Sequence, residues 1–283
     1  MEEFMKLNLS KKLIAAAAGL MLVAAAPVAG FAEDTIKLGV VGPHSGDLAS
    51  YGLPSVNAAK ILAEQINAAG GIGGKKIELL VEDTVCDAKT ATDVATKLVS
   101  DGAQIVLGGI CSGSTKAALP IYQDAGILVM SPSATNPGLT QSGDYNNFFR
   151  TIAPDDAQAQ LDVDFALDKL GYTKIAVVHD KGDYGKGFAE FAKKCLEESG
   201  KAEVVLFEGV TPGAVDYSAI VQKIKRSGAE AVMFGGYHPE ASKIITMMKK
   251  KRLNADFISD DGVKDITFIK VAGKFAEGAY ASG

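Results

Sequence analysis

The sequence predicts an α/β protein of two lobes, each a mostly parallel sheet flanked by helices. Three observations predict it. Apolar segments of strand length alternate with helical segments of ten or more residues from Ile36 onward. The strand segments are apolar nearly throughout, the pattern of strands covered on both faces by crossover helices. The alternation runs as two series that meet near Arg150–Pro154, a connection too short to be a flexible tether.

The elements follow in order. Lys6, Lys11 and Lys12 precede "LIAAAAGLMLVAAAPVAGFA", a basic region, an apolar core and a small-residue end. That layout predicts a secretory signal peptide over residues 1–32, with cleavage near Ala32. An uncleaved anchor is the alternative, disfavoured by Gly19, Pro27 and the polar sequence that follows. Strand "IKLGVV" leads to helix "LPSVNAAKILAEQINAAGG", with Ala58, Ile61, Leu62 and Ile66 near one face and a glycine pair as its stop. Strand "KIELLVED", helix "KTATDVATKLVSDG", strand "AQIVLGG", helix "STKAALPIYQDAG" and strand "ILVMSPSAT" complete the first series. Pro120 inside its helix predicts a kink or an early end. The second series after "FFRTIAPDD" reads helix "DAQAQLDVDFALDKLG", strand "KIAVVHD", helix "YGKGFAEFAKKCLEESG", strand "AEVVLFEG", helix "DYSAIVQKIKRSG", strand "AEAVMFGG", helix "PEASKIITMMKKKRL" and strand "ADFISDDG". The predicted domains are therefore lobe 1 over 33–152 and lobe 2 over 153–283.

Composition bounds the function. Apolar residues make up 47% of the 283 and charged residues 22%, an ordinary globular balance. A formal charge of −5 and the lack of aromatic-basic interleaving argue against a nucleic-acid partner. The densest basic cluster, Lys249–Arg252, reads as a solvated helix end. No dinucleotide fingerprint, phosphate loop or metal-ligand spacing occurs, so no cofactor or metal is expected.

An exported chain favours disulfides. Cys86 and Cys111 each follow a strand of lobe 1, and Cys195 lies in a helix of lobe 2, so Cys86–Cys111 is the expected pair and Cys195 a free thiol. Ligands of open parallel sheets bind beyond the carboxyl ends of the strands. Those ends carry small, hydroxyl, aromatic and acidic residues, a recognition surface rather than an engine. The rival reading is a nucleophile turn at "GICSG", Gly109–Gly113, which would make a cysteine hydrolase of Cys111 with His179-Asp180 or His238. A disulfide-bonded cysteine is no thiolate, which argues against it.

Taken together, "IKLGVVGPHSGDLASYG", "INAAGGIGGKKIELLVEDTVCDAKTA", "GGICSGSTKAALPIYQDAGILVMSPSATNP", "HDKGDYGKGFA" and "GGYHPE" resemble the periplasmic leucine/isoleucine/valine-binding proteins of ABC transporters. The resemblance implies the two-lobed type I fold of periplasmic binding proteins, no catalysis, and hinge closure on a free branched-chain amino acid. It also implies a periplasmic location, delivery to a membrane permease and, for a complete chain, a monomer. By resemblance, Ser112 at a helix start and Thr135 hold the α-carboxylate, and the Thr135 hydroxyl and the Ser133 carbonyl, flanking Ala134, meet the ammonium. Asp261 stands where the best-known members carry glutamate, the ammonium's acidic partner. Tyr51, Ile110 and the Cys86–Cys111 sulfurs form the apolar wall, and Tyr184 and Tyr237 close over the ligand from lobe 2. Family members continue well past "EGAYASG", so lobe 1 is expected to be incomplete here. Another small amino acid or an amide is the alternative ligand, and a sensor subunit that passes the closed state to a receptor is the alternative role.

Overall fold

The computed structural model describes residues 35–283; the signal peptide expected over 1–32 lies outside the described residues. The first sheet contains β1 (Ile36–Gly42), β2 (Ile77–Asp83), β3 (Ile105–Leu107), β4 (Leu128–Ser131) and β5 (Phe148–Arg150) in the spatial order β2-β1-β3-β4-β5. The second contains β6 (Lys174–His179), β7 (Glu203–Gly209), β8 (Ala231–Gly235), β9 (Asp256–Ser259) and β10 (Ala279–Ala281) in the order β10-β9-β8-β6-β7. Neighbouring strands pair in parallel throughout.

Helices α1 (Ala49–Ala68), α2 (Ala88–Ser100), α3 (Ser112–Asp124) and the short α4 (Gly138–Gln141) belong with the first sheet. Helices α5 (Asp155–Asp164), α6 (Asp183–Ser199), α7 (Ser218–Ser227), α8 (His238–Lys250) and α9 (Ile266–Ala272) belong with the second. Local chemistry sets several boundaries. The Asp87 carboxylate accepts from Thr90 N–H at 2.7 Å and caps α2, and Asp265 accepts from Thr267 N–H at 2.6 Å to cap α9. The second sheet is sandwiched. Ile220, Val221, Ile224, Ile244 and Met248 pack on one face against Val178, Phe234 and Phe257. Val163, Phe188, Ala192 and Leu196 pack on the other against Val177, Met233 and Ile258. Each such large side chain contributes about 1.5–3 kcal/mol on burial.

The first sheet is covered unequally. On one face α2 and α3 bury Val106, Val129 and Phe148 with Leu98, Leu119 and Tyr122. The alternating residues Ile105, Leu128, Met130 and Phe149 on the other face are exposed, the last by 49%. Among the described residues α1 covers part of that side, through Val56 and Ala59. The face of α1 differs from the expected one: Val56, Ala59 and Ala63 are buried, while Ile61 and Leu62 are exposed. Both sets have helical spacing, and the small residues are the ones buried on the sheet side. Pro120 sits inside α3 without ending it. The short strands β5 and β10 have no signature in the sequence pattern, because three residues cannot display a period.

Cys86 and Cys111 are joined as a disulfide with Cα atoms 5.6 Å apart, and Cys195 is a half-buried free thiol whose pKa burial raises. The bridge closes a separation of 25 residues. Its reduction is expected to lower unfolding free energy by about 3.5 kcal/mol on the chain-entropy relation, read from urea unfolding with and without reductant. Equal midpoints would show that the loop is held without the bridge.

Candidate functional site

The strand order places one switch point in each sheet. In the first, β1 stands between β2 and β3, so the chain leaves the ends of β1 and β3 toward opposite faces; in the second, β6 and β8 do the same. Such points open a crevice beyond the strand ends. The segments that follow β1, β3, β4, β6, β8 and β9 carry Tyr51, Ile110 to Ser112, Ser133 to Thr135, Tyr184, Tyr237 and Asp261.

Tyr51, Ile110, Ser112, Ser133, Tyr184, Tyr237, Asp261 and Gly262 line one small cavity of about 30 Å³. It draws on both sheets. Cys111, Tyr184 and Tyr237 also border a wider cleft of about 390 Å³ that is edged by the Ser45–Leu48 loop and by Gly113, Asp183 and Glu240. Ala134 and Thr135 are fully buried and border neither space.

Each side chain is held by its local structure. Ser112 is the first residue of α3, with the extended Cys111 before it, and its hydroxyl accepts from Asn136 N–H at 3.2 Å. The Ser114 and Thr115 hydroxyls turn back to the Cys111 carbonyl at 3.1 and 2.8 Å. The first-turn N–H groups of α3 are the electropositive end of a helix, a seat for a carboxylate. The 133–135 turn is organised by Ser131, a residue sequence reasoning passed over. Its hydroxyl donates to the Gly109 carbonyl at 2.6 Å and accepts from Ser133 and Ala134 N–H at 3.1 and 2.8 Å. One side chain thus ties the ends of β3 and β4 together. Arg150 adds a guanidinium bond to the Asn136 carbonyl at 2.8 Å.

From the second sheet, Tyr184 opens α6 and its hydroxyl donates to Asp261 Oδ1 at 2.5 Å while accepting from Gly262 N–H at 2.8 Å. Glycine at 185 and 235 is required for this placement. A Cβ on Gly185 would meet the Gly235 carbonyl oxygen at 2.3 Å, so the start of α6 rests directly on the end of β8. Burial pushes the Asp261 carboxyl above its ordinary range, against the Tyr184 hydrogen bond that lowers it. Asp260 beside it is fully buried, accepts from Gly236 N–H at 3.0 Å, and is pushed well up by burial. The rings of Tyr51, Tyr184 and Tyr237 form an aromatic wall with centroids 5.5 Å (51–237) and 5.1 Å (184–237) apart.

The two sheets also touch outside the cavity. Lys116 on α3 pairs with Asp183 on α6 at 2.9 Å, and Asn136 Nδ2 donates to the Asp183 carbonyl at 2.6 Å. The hydrolase arrangement is not assembled. Cys111 is in the disulfide, His179 Nδ1 accepts from Lys181 N–H at 3.0 Å, and His238 Nδ1 faces the Tyr51 hydroxyl at 2.7 Å.

A helix start, a carboxylate with a tyrosine at its side and an aromatic wall meet here, groups able to hold an anionic oxygen, a cation and apolar surface. Comparison with known proteins gives the family. The family profile described as periplasmic binding protein matches residues 35–283. The Leucine-, isoleucine-, valine-, threonine-, and alanine-binding protein of Pseudomonas aeruginosa is 41% identical over 266 residues, covering 92% of this chain and 71% of the relative. The Leu/Ile/Val-binding protein of Escherichia coli K12 is 40% identical over 247 residues, covering 87% of this chain and 66% of the relative. Among solved structures, the branched-chain amino acid transporter substrate binding protein of Streptococcus pneumoniae in complex with isoleucine superimposes with a TM-score of 0.75 at 34% identity, over 84% of this chain and 68% of that one. This chain thus spans about two thirds of the length of the relatives it matches. With its parallel sheets, its two switch points and a profile match over all the described residues, the chain belongs to the periplasmic binding protein family.

Proposed function

We propose that this chain captures a free branched-chain amino acid, leucine, isoleucine or valine, between two lobes and delivers it to an ABC permease. The observation that carries the reading is the small cavity lined from both sheets by Ser112, Ser133, Tyr51, Tyr184, Tyr237 and Asp261. In this reading residues 1–32 direct the chain to the periplasm, 33–152 form lobe 1 and 153–283 form lobe 2. Lobe 1 holds the ligand carboxylate on Ser112 and the α3 N-terminus, with Thr135 and the Ser133 carbonyl contributing to carboxylate and ammonium. Ile110 and the Cys86–Cys111 sulfurs give the apolar wall. Lobe 2 brings Asp261 to the ammonium and covers the ligand with Tyr184 and Tyr237. The chemistry is binding alone, with hinge closure as the working step.

Room favours a conformational cycle. A space of about 30 Å³ is on the scale of one or two waters, far below an aliphatic amino acid, so entry requires the two sheets to part. Thermal melts of the oxidised mature chain with each of the common amino acids in excess test the reading. Ligand at a thousand times its Kd stabilises the fold by about 4 kcal/mol. Upward shifts with leucine, isoleucine or valine and none with acidic or basic amino acids are expected. A cooperative melt that none of the three moves would rule out the branched-chain reading.

A further inference from the structure

Tyr51 reaches from α1, on the first sheet, to two groups of the second. Its hydroxyl donates to the Gly262 carbonyl and stands 2.7 Å from His238 Nδ1. The backbone N–H of His238 points at the same oxygen from 3.4 Å. A phenol has one proton to give, and here Gly262 receives it. His238 Nδ1 must therefore carry the imidazole proton and donate to the phenol oxygen. The imidazole is 2% exposed and its ring centroid is 5.4 Å from that of Tyr51. The bonds continue on the other side of Gly262: its N–H donates to the Tyr184 oxygen at 2.8 Å, and the Tyr184 hydroxyl donates to Asp261 at 2.5 Å. One hydrogen-bonded run thus links the imidazole, both tyrosines and the carboxylate that borders the cavity.

We propose that His238 is a positioning residue for ligand capture: its Nδ1–H holds the Tyr51 hydroxyl on the Gly262 carbonyl and so latches the two sheets together beside Asp261. This rests on the proposed reading that an amino acid is enclosed in that cavity. His238 does not border the cavity, so its effect reaches the ligand through Tyr51 and the Asp261–Gly262 turn. A latch made only in the closed state retards release and leaves encounter unchanged.

Two measurements test it. The chain has three histidines, and His179 Nδ1 is an acceptor, which gives an internal reference for the common Nε2–H tautomer. Nitrogen NMR of the imidazoles should show His238 as Nδ1–H, with the signature altered in Tyr51→Phe. An Nε2–H form of His238 overturns the latch, whatever the binding assays give. In stopped-flow release of leucine, His238→Phe fills the ring's space without a donor, and His238→Asn places an amide N–H near the Nδ1 position. The phenylalanine variant should release leucine about tenfold faster, a loss of about 1.4 kcal/mol, with association within about twofold and asparagine close to wild type. The reverse order, phenylalanine like wild type and asparagine fast, would mean that His238 only fills space. Adding His238→Phe to Tyr51→Phe should change release no further; additive effects overturn the coupling. A wild type that takes up none of the three amino acids would sink the proposed function, and the tautomer measurement would still decide the latch.

Discussion

Replacing Asp261 with asparagine is expected to weaken leucine binding by a hundredfold or more while leaving the fold intact. The carboxylate borders the cavity and is oriented by the Tyr184 hydroxyl at 2.5 Å. Asparagine keeps the shape and loses the charge that the proposed function sets against the ammonium. Truncating one partner of a desolvated, hydrogen-bonded charge pair costs about 2–5 kcal/mol. The deaminated analogue 4-methyl-2-oxopentanoate has no ammonium, so its affinity should change by less than about threefold, within the scatter of a neutral contact. Titration calorimetry with both ligands separates the cases. Equal losses for the two would place Asp261 in the architecture rather than at the ammonium, and leucine bound as by wild type would remove it from the site.

The second large effect is on stability. Asp155 at the start of α5 is fully buried, and neither carboxylate oxygen makes a hydrogen bond; the Thr135 hydroxyl beside it is also unpartnered. Burial pushes the Asp155 carboxyl up to about 7, against the nearby Thr135 hydroxyl and Arg150 and with the Asp261 charge adding to the rise. Burial likewise pushes Asp162 up to about 7 and Asp180 up to about 6. In the unfolded chain these groups lose their protons near 3.8. Between that value and 7 the folded chain holds more protons than the unfolded one, so stability falls as pH rises through this window. A single carboxyl moved that far accounts for a loss on the order of 4 kcal/mol by pH 8. Urea unfolding should therefore give a higher midpoint at pH 5 than at pH 8, and Asp155→Asn should reduce the difference by about 2 kcal/mol, allowing for the amide's own burial. A variant with an unchanged pH slope would show that Asp155 is hydrated or paired in solution.

Much of this was legible before any coordinates. The parallel α/β class follows from unbroken apolar strands between long helices, the pattern typical of strands in parallel sheets. The candidate site residues stand just after strands, as Ser112, Tyr184, Tyr237 and Asp261 do, and the family resemblance supplied their proposed roles. The burial of α1 was not legible, because Val56, Ala59 and Ala63 and the neighbouring stripe through Ile61 and Leu62 satisfy the same period. The contacts of Ser131 and His238 were not legible for a related reason. A serine ending a strand and a histidine opening a helix are ordinary signals, and their roles depend on partners far along the chain, such as Tyr51, 187 residues from His238.

The sequence by itself determined the longer elements and their order, the class of sheet and the short list of residues that end its strands, because these depend on local period and residue chemistry. Only the tertiary structure decided which of those residues share a cavity, which helix face is buried, and that Tyr51 and His238 meet across the two sheets. Those depend on distances between segments remote in the chain, which packing sets and no local pattern encodes.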